Sequence, residues 1–182
     1  LRELKLELER NRIAAPVPGP SLSDEQRVLE AVKKRGNHPK ISLGEILLEA
    51  GILTQDQLDQ SLDEQRKNAN RHLGEILIAH HFASDVAVAQ ALACQCGVDF
   101  IHFTENTVDP EAAALTSERL ATQHVCIPIA ARADTIQLAI ANPMDLLAIE
   151  DIERATNRKA SVVVSTSREI KEAINRYYWE PE

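Results

Sequence analysis

Apolar residues recur at helical spacing in the first half of the chain, and most of that pattern occurs twice. The stretch from Leu43 to Gln65 has leucines and isoleucines three or four residues apart, as on one face of a helix. It returns from Leu73 to Gln95, and both copies open with Leu-Gly-Glu-Ile-Leu. A register kept over this length indicates an internal repeat. We therefore predict two similar helical units side by side.

Each unit is predicted to be a helical hairpin. In the first unit Ser42 stands three residues before Glu45, which is the spacing of a capping box at a helix start. Gly51 suits the left-handed position that closes this helix, and Gly97 suits the same role at the end of the second unit. His81 stands where Gly51 stood. Because His adopts a left-handed conformation less readily than Gly, we expect this corner to have a different shape.

The second half of the chain changes to alternating apolar and polar residues. A short strand-like link over residues 98–103 and two short helices open it. Alternation and β-branched residues predict strands, and amphipathic spacing predicts helices. The predicted order is β-β-α-β-α, over residues 125–130, 135–140, 146–156, 160–164 and 168–178. The predicted fold class is α+β, with an all-helical tandem-hairpin subdomain followed by a small α+β subdomain.

Changes in composition give the predicted boundaries of these parts. Residues 1–39 comprise a helix rich in Leu, Glu and Lys, a linker with three prolines, and a short helix that Ser23 or Asp24 caps. Residues 40–97 form the tandem helical subdomain, and residues 98–182 form the α+β subdomain. The sequence opens without Met or a signal peptide, so we expect a fragment of a longer protein.

Charge and composition argue against several classes of partner. A formal net charge of −8 and only 3% aromatic residues disfavour DNA or RNA, which need positive charge and stacking side chains. No apolar run approaches the ~20 residues that span a bilayer. Cys94, Cys96 and Cys126 show no disulfide framework, which suits a reducing cytoplasm. We therefore expect a cytoplasmic domain.

The sequence carries no motif for catalysis or metal binding. Cys94-Gln95-Cys96 has the wrong spacing for a zinc site, and no second pair follows. There is neither a Gly-x-Ser-x-Gly elbow nor a phosphate-binding P-loop. We therefore predict a non-catalytic chain without a metal or a cofactor.

Two glycines of the repeat favour a bound ligand. Gly44 and Gly74 lie in the first turn of a helix, where Gly costs about 1 kcal/mol relative to Ala. Their repetition indicates that something approaches the backbone closely. Gln65 and Gln95 add a matched pair of amides, and two helix N-termini can receive phosphate groups. This arrangement suits a ligand with two phosphates and two-fold symmetry, whereas core packing alone accounts for most of the leucines.

These residues resemble the MshEN domain. The pattern Leu-Gly-x-x-Leu-x-x-x-Gly-x-x-x-x-x-x-Leu-x-x-x-Leu-x-x-Gln runs from Leu43 to Gln65 and is repeated with changes from Leu73 to Gln95. Residues 142–145, Asn-Pro-Met-Asp, look like part of the α+β portion of the same region. MshEN domains stand at the N-terminus of type II secretion and type IV pilus assembly ATPases and appear on some bacterial glycosyltransferases.

The resemblance implies that cyclic di-GMP binds across the two units of a regulatory domain, in a secretion, pilus or polysaccharide-export protein. In the family, leucines and glycines pack against the bases and the ribose-phosphate ring, while glutamines and arginines contact guanine and phosphate. The matching residues of the first unit are Leu43, Gly44, Leu47, Gly51, Leu58, Leu62 and Gln65. Those of the second unit are Leu73, Gly74, Leu77, Leu92 and Gln95.

The arginine that the family usually has before each Leu-Gly is absent here. Ser42 and His72 occupy those positions, and neither offers the guanidinium fork that binds phosphate or guanine bidentately. Lys40 and Arg71 lie close by and can supply charge, so all four residues are candidates. The same departures favour an alternative, a docking module of the family that no longer binds nucleotide. Its partner would be a membrane-platform protein or an adjacent catalytic domain.

Overall fold

The computed structural model describes residues 23–35 and 41–179. Its first elements are α1 (Asp24–Arg35), α2 (Leu43–Glu49), α3 (Gln55–Lys67), α4 (Leu73–Ala79) and α5 (Asp85–Cys96). The helix expected near the start of the chain, the proline-rich linker and the candidate site residue Lys40 lie outside the described residues. We call residues 24–97 the helical part and residues 98–179 the α+β part.

The helix ends form where the sequence predicts them. The Ser42 hydroxyl accepts a hydrogen bond from the Glu45 N–H at 3.3 Å, and the Glu45 carboxylate accepts one from the Ser42 N–H at 2.9 Å. Gly51 and Gly97 have φ angles of 65° and 66°, which glycine adopts without strain. These contacts satisfy backbone groups that a helix leaves free at its ends. The predicted caps are confirmed.

The two repeat units interlock instead of forming separate hairpins side by side. The first helix of one unit, α2, packs against α1 and against α5, the second helix of the other unit. The remaining pair, α3 and α4, lie against each other. Leu47 and Leu77 stand at equivalent places in the repeat, and both are fully buried. The units are therefore stabilised together by burial of their shared apolar surface.

The corner at His81 has the same shape as the corner at Gly51, so the expectation of a different shape is wrong. His81 has a φ of 56°, close to the 65° of Gly51. In both units the N–H of the next residue donates to the equivalent leucine carbonyl, at 3.0 Å in the first unit and 2.9 Å in the second. The hydrogen bonds and buried neighbours of the turn thus outweigh the preference of one exposed side chain.

The α+β part is a small sheet with a helix on each face. Its elements are α6 (Pro110–Ala113), α7 (Glu118–His124), β1 (Cys126–Ala131), β2 (Thr135–Ile140), α8 (Leu146–Thr156), β3 (Lys159–Val164) and α9 (Ser167–Tyr178). The strand order is β1-β2-β3, with β2 antiparallel to β1 and parallel to β3. Alternate strand residues face α8, where Ile152 is buried, and α9, where Ile170 is buried. The predicted α+β class and β-β-α-β-α order are confirmed.

The link between the two parts pairs with the sheet through an isolated bridge. Instead of the expected strand over residues 98–103, Phe100 forms one parallel bridge to Val164 at the end of β3. Two hydrogen bonds of 2.8 Å flank this bridge. Val164 also packs on Ala89 and Ala93 of α5, which fixes the helical part against the sheet. No helix in the part of the chain that the structure describes is long and apolar enough to cross a bilayer.

A histidine provides a polar connection between the two parts. His102 Nδ1 lies 3.1 Å from Glu169 Oε1 on α9, and its Nε2 lies 3.4 Å from Glu25 Oε2 on α1. The hydrogen bond to Glu169, assisted by the one to Glu25, raises the pKa of His102 above its usual 6.5. Protonated His102 can therefore donate to both carboxylates and hold α1 near α9.

Replacing His81 with Gly should raise the free energy of unfolding by about 1 kcal/mol, because an L-residue pays about 1–2 kcal/mol for a left-handed conformation. Gly97→Ala is the matched control, since no atom lies within 4 Å of the added Cβ and only the conformation is strained. That control should lose about 1 kcal/mol. Urea denaturation measures both changes, and a less stable His81→Gly protein would contradict the prediction.

His102→Gln should remove part of the pH dependence of stability. Because the folded pKa lies above 6.5, the contacts of His102 stabilise the fold fully below that value and lose this effect as the pH rises through the folded pKa. The side chain is half exposed, so we expect only a few tenths of a kcal/mol, about the size of a surface ion pair. Urea denaturation at about pH 6 and about pH 8.5 brackets this range. An identical pH dependence in wild type and variant would refute the role.

Candidate functional site

A groove of about 860 Å³ runs between the helical part and the α+β part, and a volume of this size suits a small-molecule ligand. We call it the central groove. Its helical wall consists of Leu43, Gln65, His72, Leu73, Gly74, Glu75, Ile78, Val88, Leu92 and Gln95. Its other wall consists of Gln123, His124, Val125, Ala141, Asn142, Met144, Asp145, Leu146, Leu147 and Ser167.

The central groove brings together several candidate residues from both repeat units. Leu43 and Leu73 stand at equivalent positions in the repeat, as do Gln65 and Gln95, and all four line the groove. The other candidates along it are His72, Gly74 and Leu92. Both glutamines are partly buried, and Gln65 Nε2 donates to the Arg71 carbonyl at 3.4 Å. Equivalent positions of the two repeat units therefore line the same groove.

The remaining candidates lie away from the groove lining. Leu47, Leu58 and Leu77 are buried in the apolar core, and Leu62 packs against that core. Ser42 is engaged in the capping box of α2, where the Glu45 carboxylate already occupies its N–H. The groove lining also does not include the candidates Gly44, Gly51 and Arg71.

Core packing accounts for both repeated glycines, contrary to the inference from sequence. A Cβ on Gly44 would lie 2.8 Å from Leu58 Cδ1, and a Cβ on Gly74 would lie 2.8 Å from Val88 Cγ1. Such distances are too short for carbon atoms, so glycine lets the second helix of each unit approach the first. What approaches the backbone is thus a neighbouring side chain. Gly74 also lines the groove, whereas Gly44 is buried beneath Leu58.

The charge of Arg71 is committed to neighbouring residues. Its Nη1 lies 3.0 Å from Glu64 Oε1, and the other oxygen of that carboxylate lies 2.6 Å from His80 Nε2. The hydrogen bond from His80, with smaller effects of nearby positive charges including Arg71, lowers the pKa of Glu64. Arg71 is therefore part of a surface ion-pair network beside the groove.

The groove lining is short of positive charge. Among the described residues that form it, the carboxylates are Glu75 and Asp145, and the basic side chains are His72 and His124. Neither Lys nor Arg occurs in that set. Apolar side chains supply most of the remaining surface on the helical wall. The site therefore combines an apolar floor with amides and imidazoles.

Sequence and structure comparisons place the chain among known proteins. A sequence profile described as the MshEN domain matches residues 96–182. The structure of MshE with cdg is 31% identical, with a TM-score of 0.66, and the match covers 76% of this chain and 100% of that one. The chain belongs to the MshEN domain family. Because 76% of the chain exceeds residues 96–182, the likeness to MshE extends into the helical part.

Two further relatives agree with this assignment. The type IV pilus assembly ATPase PilB of Myxococcus xanthus (strain DK1622) is 28% identical over 138 residues, 76% of this chain and 24% of PilB. An N-terminal domain of XpsE is 23% identical with a TM-score of 0.60, and the match covers 88% of this chain and 99% of that domain. This MshEN chain thus spans about a quarter of the length of that curated relative, and it shares the fold of the N-terminal domain of XpsE.

The second wall of the groove is the part that sequence reasoning missed. The His124 ring, whose side chain is only 8% exposed, lies 3.3 Å from Asp145 through Nδ1 and 3.3 Å from Asp151 through Nε2. Asp145 also caps α8 by accepting from the Ala148 N–H at 3.1 Å. The available signal was the Asn-Pro-Met-Asp turn at the end of β2, because polar turns at strand ends often carry functional side chains.

Val125 gives this wall an unusual backbone. It has a φ of 47° and a ψ of 61°, a left-handed conformation that is an outlier for a β-branched residue. Its N–H donates to the Ala121 carbonyl, and its carbonyl accepts from the Ala141 N–H at 3.2 Å. Such strain costs of order 1–3 kcal/mol and is concentrated at functional sites. The strained corner turns the chain from α7 into β1 and sets the position of His124.

An apolar lip borders the same wall of this MshEN domain. Met144, Leu146 and Leu147 are 59%, 67% and 69% exposed, although all three are large hydrophobic side chains. Met144 lies just before α8, Leu146 and Leu147 are its first two residues, and all three line the groove. Exposed apolar side chains grouped in this way mark a surface that binds something.

The packing role of Gly74 can be tested with Val88. Gly74→Ala should lower the free energy of unfolding by about 1–3 kcal/mol, because the new methyl group overlaps Val88 Cγ1. In a Val88→Ala background the same change should be neutral or stabilising by up to about 1 kcal/mol, since Ala is the better helix former. A double-mutant cycle by urea denaturation measures the coupling. Equal effects of Gly74→Ala in both backgrounds would contradict a packing role.

Proposed function

We propose that this MshEN domain is a non-catalytic regulatory domain that binds cyclic di-GMP in the central groove. The observation that carries the proposal is the placement of Leu43 and Gln65 beside Leu73 and Gln95. A ligand made of two identical halves would meet an equivalent leucine and an equivalent amide in each repeat unit. The likeness to MshE, whose structure was determined with cdg, supports this choice of ligand.

The chemistry of the groove suits the bases of such a ligand. Leucine side chains offer apolar surface to the faces of guanine, which is favourable when that surface leaves water. A glutamine amide both donates and accepts, so it can match the edge of a guanine, which carries both kinds of group. On the helical wall the His72 imidazole can donate a hydrogen bond to phosphate.

A ligand in the central groove would couple the two parts of the domain. Both walls would contact it, and the two parts already pack on each other through Ala89 and Ala93 of α5 and Val164 of β3. Binding to one relative arrangement of the walls would shift the population toward that arrangement. We propose that the longer protein is an ATPase of a pilus or secretion system, and that the domain acts in the cytoplasm at the inner face of the inner membrane.

Isothermal titration calorimetry with cyclic di-GMP tests this proposal. Gln65→Ala and Gln95→Ala should each weaken binding about 5- to 10-fold, because a lost hydrogen bond costs about 1 kcal/mol or more. Gln60→Ala is the matched control, since Gln60 is an exposed glutamine of the same helix α3 and does not line the groove. It should bind as wild type does. Absence of binding heat at accessible concentrations would refute the proposal.

A second candidate function is docking to a protein partner without nucleotide. The apolar lip of Met144, Leu146 and Leu147 favours it, as does the lack of Lys and Arg in the described groove lining. In this case the partner would be a membrane-platform protein of the same pilus or secretion machine. Apolar side chains of the lip would then be buried against an apolar patch of that partner.

The docking function predicts a different pattern of losses. Replacing Leu146 and Leu147 together with Ser should abolish co-purification with the platform protein, while Gln65→Ala should not affect it. The double variant should fold normally, because both leucines are largely exposed. Pull-down with and without cyclic di-GMP is the measurement. Retention of the partner by the double variant would count against docking through the lip.

A further inference from the structure

The apolar lip of Met144, Leu146 and Leu147 is continuous with the central groove, because all three side chains are part of its lining. We propose that the lip contacts the guanine bases of cyclic di-GMP and covers faces of the bases that the helical wall leaves open. This inference rests on the proposed function, since it assigns further contacts to the same ligand. The α+β part would then contribute directly to the affinity for the nucleotide.

The packing of α8 on the sheet does not require the lip. On this helix Ala148 and Ile152 are fully buried in the core of the α+β part, whereas Leu146 and Leu147 are largely exposed. An exposed leucine keeps apolar surface in water, and covering that surface with a ligand is favourable. The lip is therefore apolar surface that the fold leaves available for binding.

Hydrogen bonds of the turn before α8 hold the lip in its exposed position. The Met144 N–H donates to Asn142 Oδ1 at 3.1 Å, and the Leu146 N–H donates to the Met144 carbonyl at 3.0 Å. Asp145 caps the helix by accepting from the Ala148 N–H at 3.1 Å. A surface whose backbone is already ordered loses less conformational entropy when a ligand binds. The lip is thus preformed for binding.

The two walls of the groove both offer apolar surface to a bound base. Leu73 and Leu92 line the helical wall, and both are partly buried against the core of the helical part. The lip lines the other wall. Guanine is a flat group with two faces, so one face can pack on a leucine of the helical wall while the other face packs on the lip. More of the base then leaves water than the helical wall alone could cover.

Charge favours a base over a phosphate at the lip. Asp145 lies between Met144 and Leu146 in the sequence, and its carboxylate repels a phosphate. The ring nitrogens of His124 are occupied by Asp145 and Asp151, each at 3.3 Å. The described lining contains neither Lys nor Arg. The uncharged bases are therefore the part of the ligand that this wall suits.

Calorimetry on lip variants tests the contact. Leu146→Ser combined with Leu147→Ser should raise the Kd for cyclic di-GMP at least about tenfold, because apolar surface of the bases would stay in water. Leu146→Met combined with Leu147→Met keeps an apolar side chain at both positions and should bind nearly as wild type does. Trp179→Ser is the matched control, since Trp179 is as exposed as Leu147 and lies outside the described groove lining. This control should leave the Kd unchanged.

Met144 allows the lip to be observed directly, because it is the only methionine of the sequence. In protein that is isotopically labelled at the methionine methyl group, the nuclear magnetic resonance signal of Met144 should move as cyclic di-GMP is added. The physical reason is that a guanine ring changes the magnetic shielding of a methyl group beside it. A chain produced with a start methionine gives a second signal, and Met144→Leu identifies the signal of the lip by removing it.

The possible outcomes separate this inference from the proposed function. Absence of binding heat with the wild-type chain would refute the proposed function, and the inference would fall with it. Binding by wild type together with an unchanged Kd in the double serine variant would overturn the inference alone. An unmoved Met144 signal at saturating cyclic di-GMP would overturn it as well. In both of these cases the lip would remain free for a protein partner while the nucleotide is bound.

Discussion

The burial of α5 is the constraint on which the rest of the structure depends. Its sequence alternates alanine with larger residues, and Ala87, Ala89, Ala91 and Ala93 are all buried. Small side chains let α1 and α2 approach one side of the helix and β3 approach another. Because α5 touches both parts of the domain, it determines how far apart they stand. Val88, Leu92 and Gln95 of the same helix line the central groove.

Local features of the fold were predictable from sequence because their causes are local. The capping box of Ser42 and Glu45 and the left-handed glycines at 51 and 97 need only a few neighbouring residues, and they form as expected. The shape of the corner at His81 was predicted wrongly because it does not depend on the preference of that residue alone. There the hydrogen bonds and buried neighbours of the equivalent turn impose a φ of 56° on a residue whose own preference is weak.

The candidate site was predictable only on one side. The repeat pointed to Leu43, Gln65 and their partners Leu73 and Gln95, since equal positions in two copies are visible in the sequence. The opposite wall depends on contacts between residues far apart in the chain. His124 contacts Asp145 and Asp151, which lie 21 and 27 residues later in the chain. Contacts between residues this far apart leave no periodic pattern in the sequence. The inference that something closely approaches the repeated glycines was right, but the approaching groups are the side chains of Leu58 and Val88 and not a ligand.

The position of Arg71 keeps its guanidinium out of the described lining of the central groove. One residue earlier in the chain than the family's arginine, it extends toward α3 and pairs with Glu64 at 3.0 Å. Glu64 is already held by His80, so releasing the guanidinium would leave that carboxylate with one partner fewer. An ion pair with this much solvent exposure contributes little to stability, so it gives only a modest preference for this position of the guanidinium. Among the described residues of the helical wall, the imidazole of His72 is then left as the basic side chain of the groove lining.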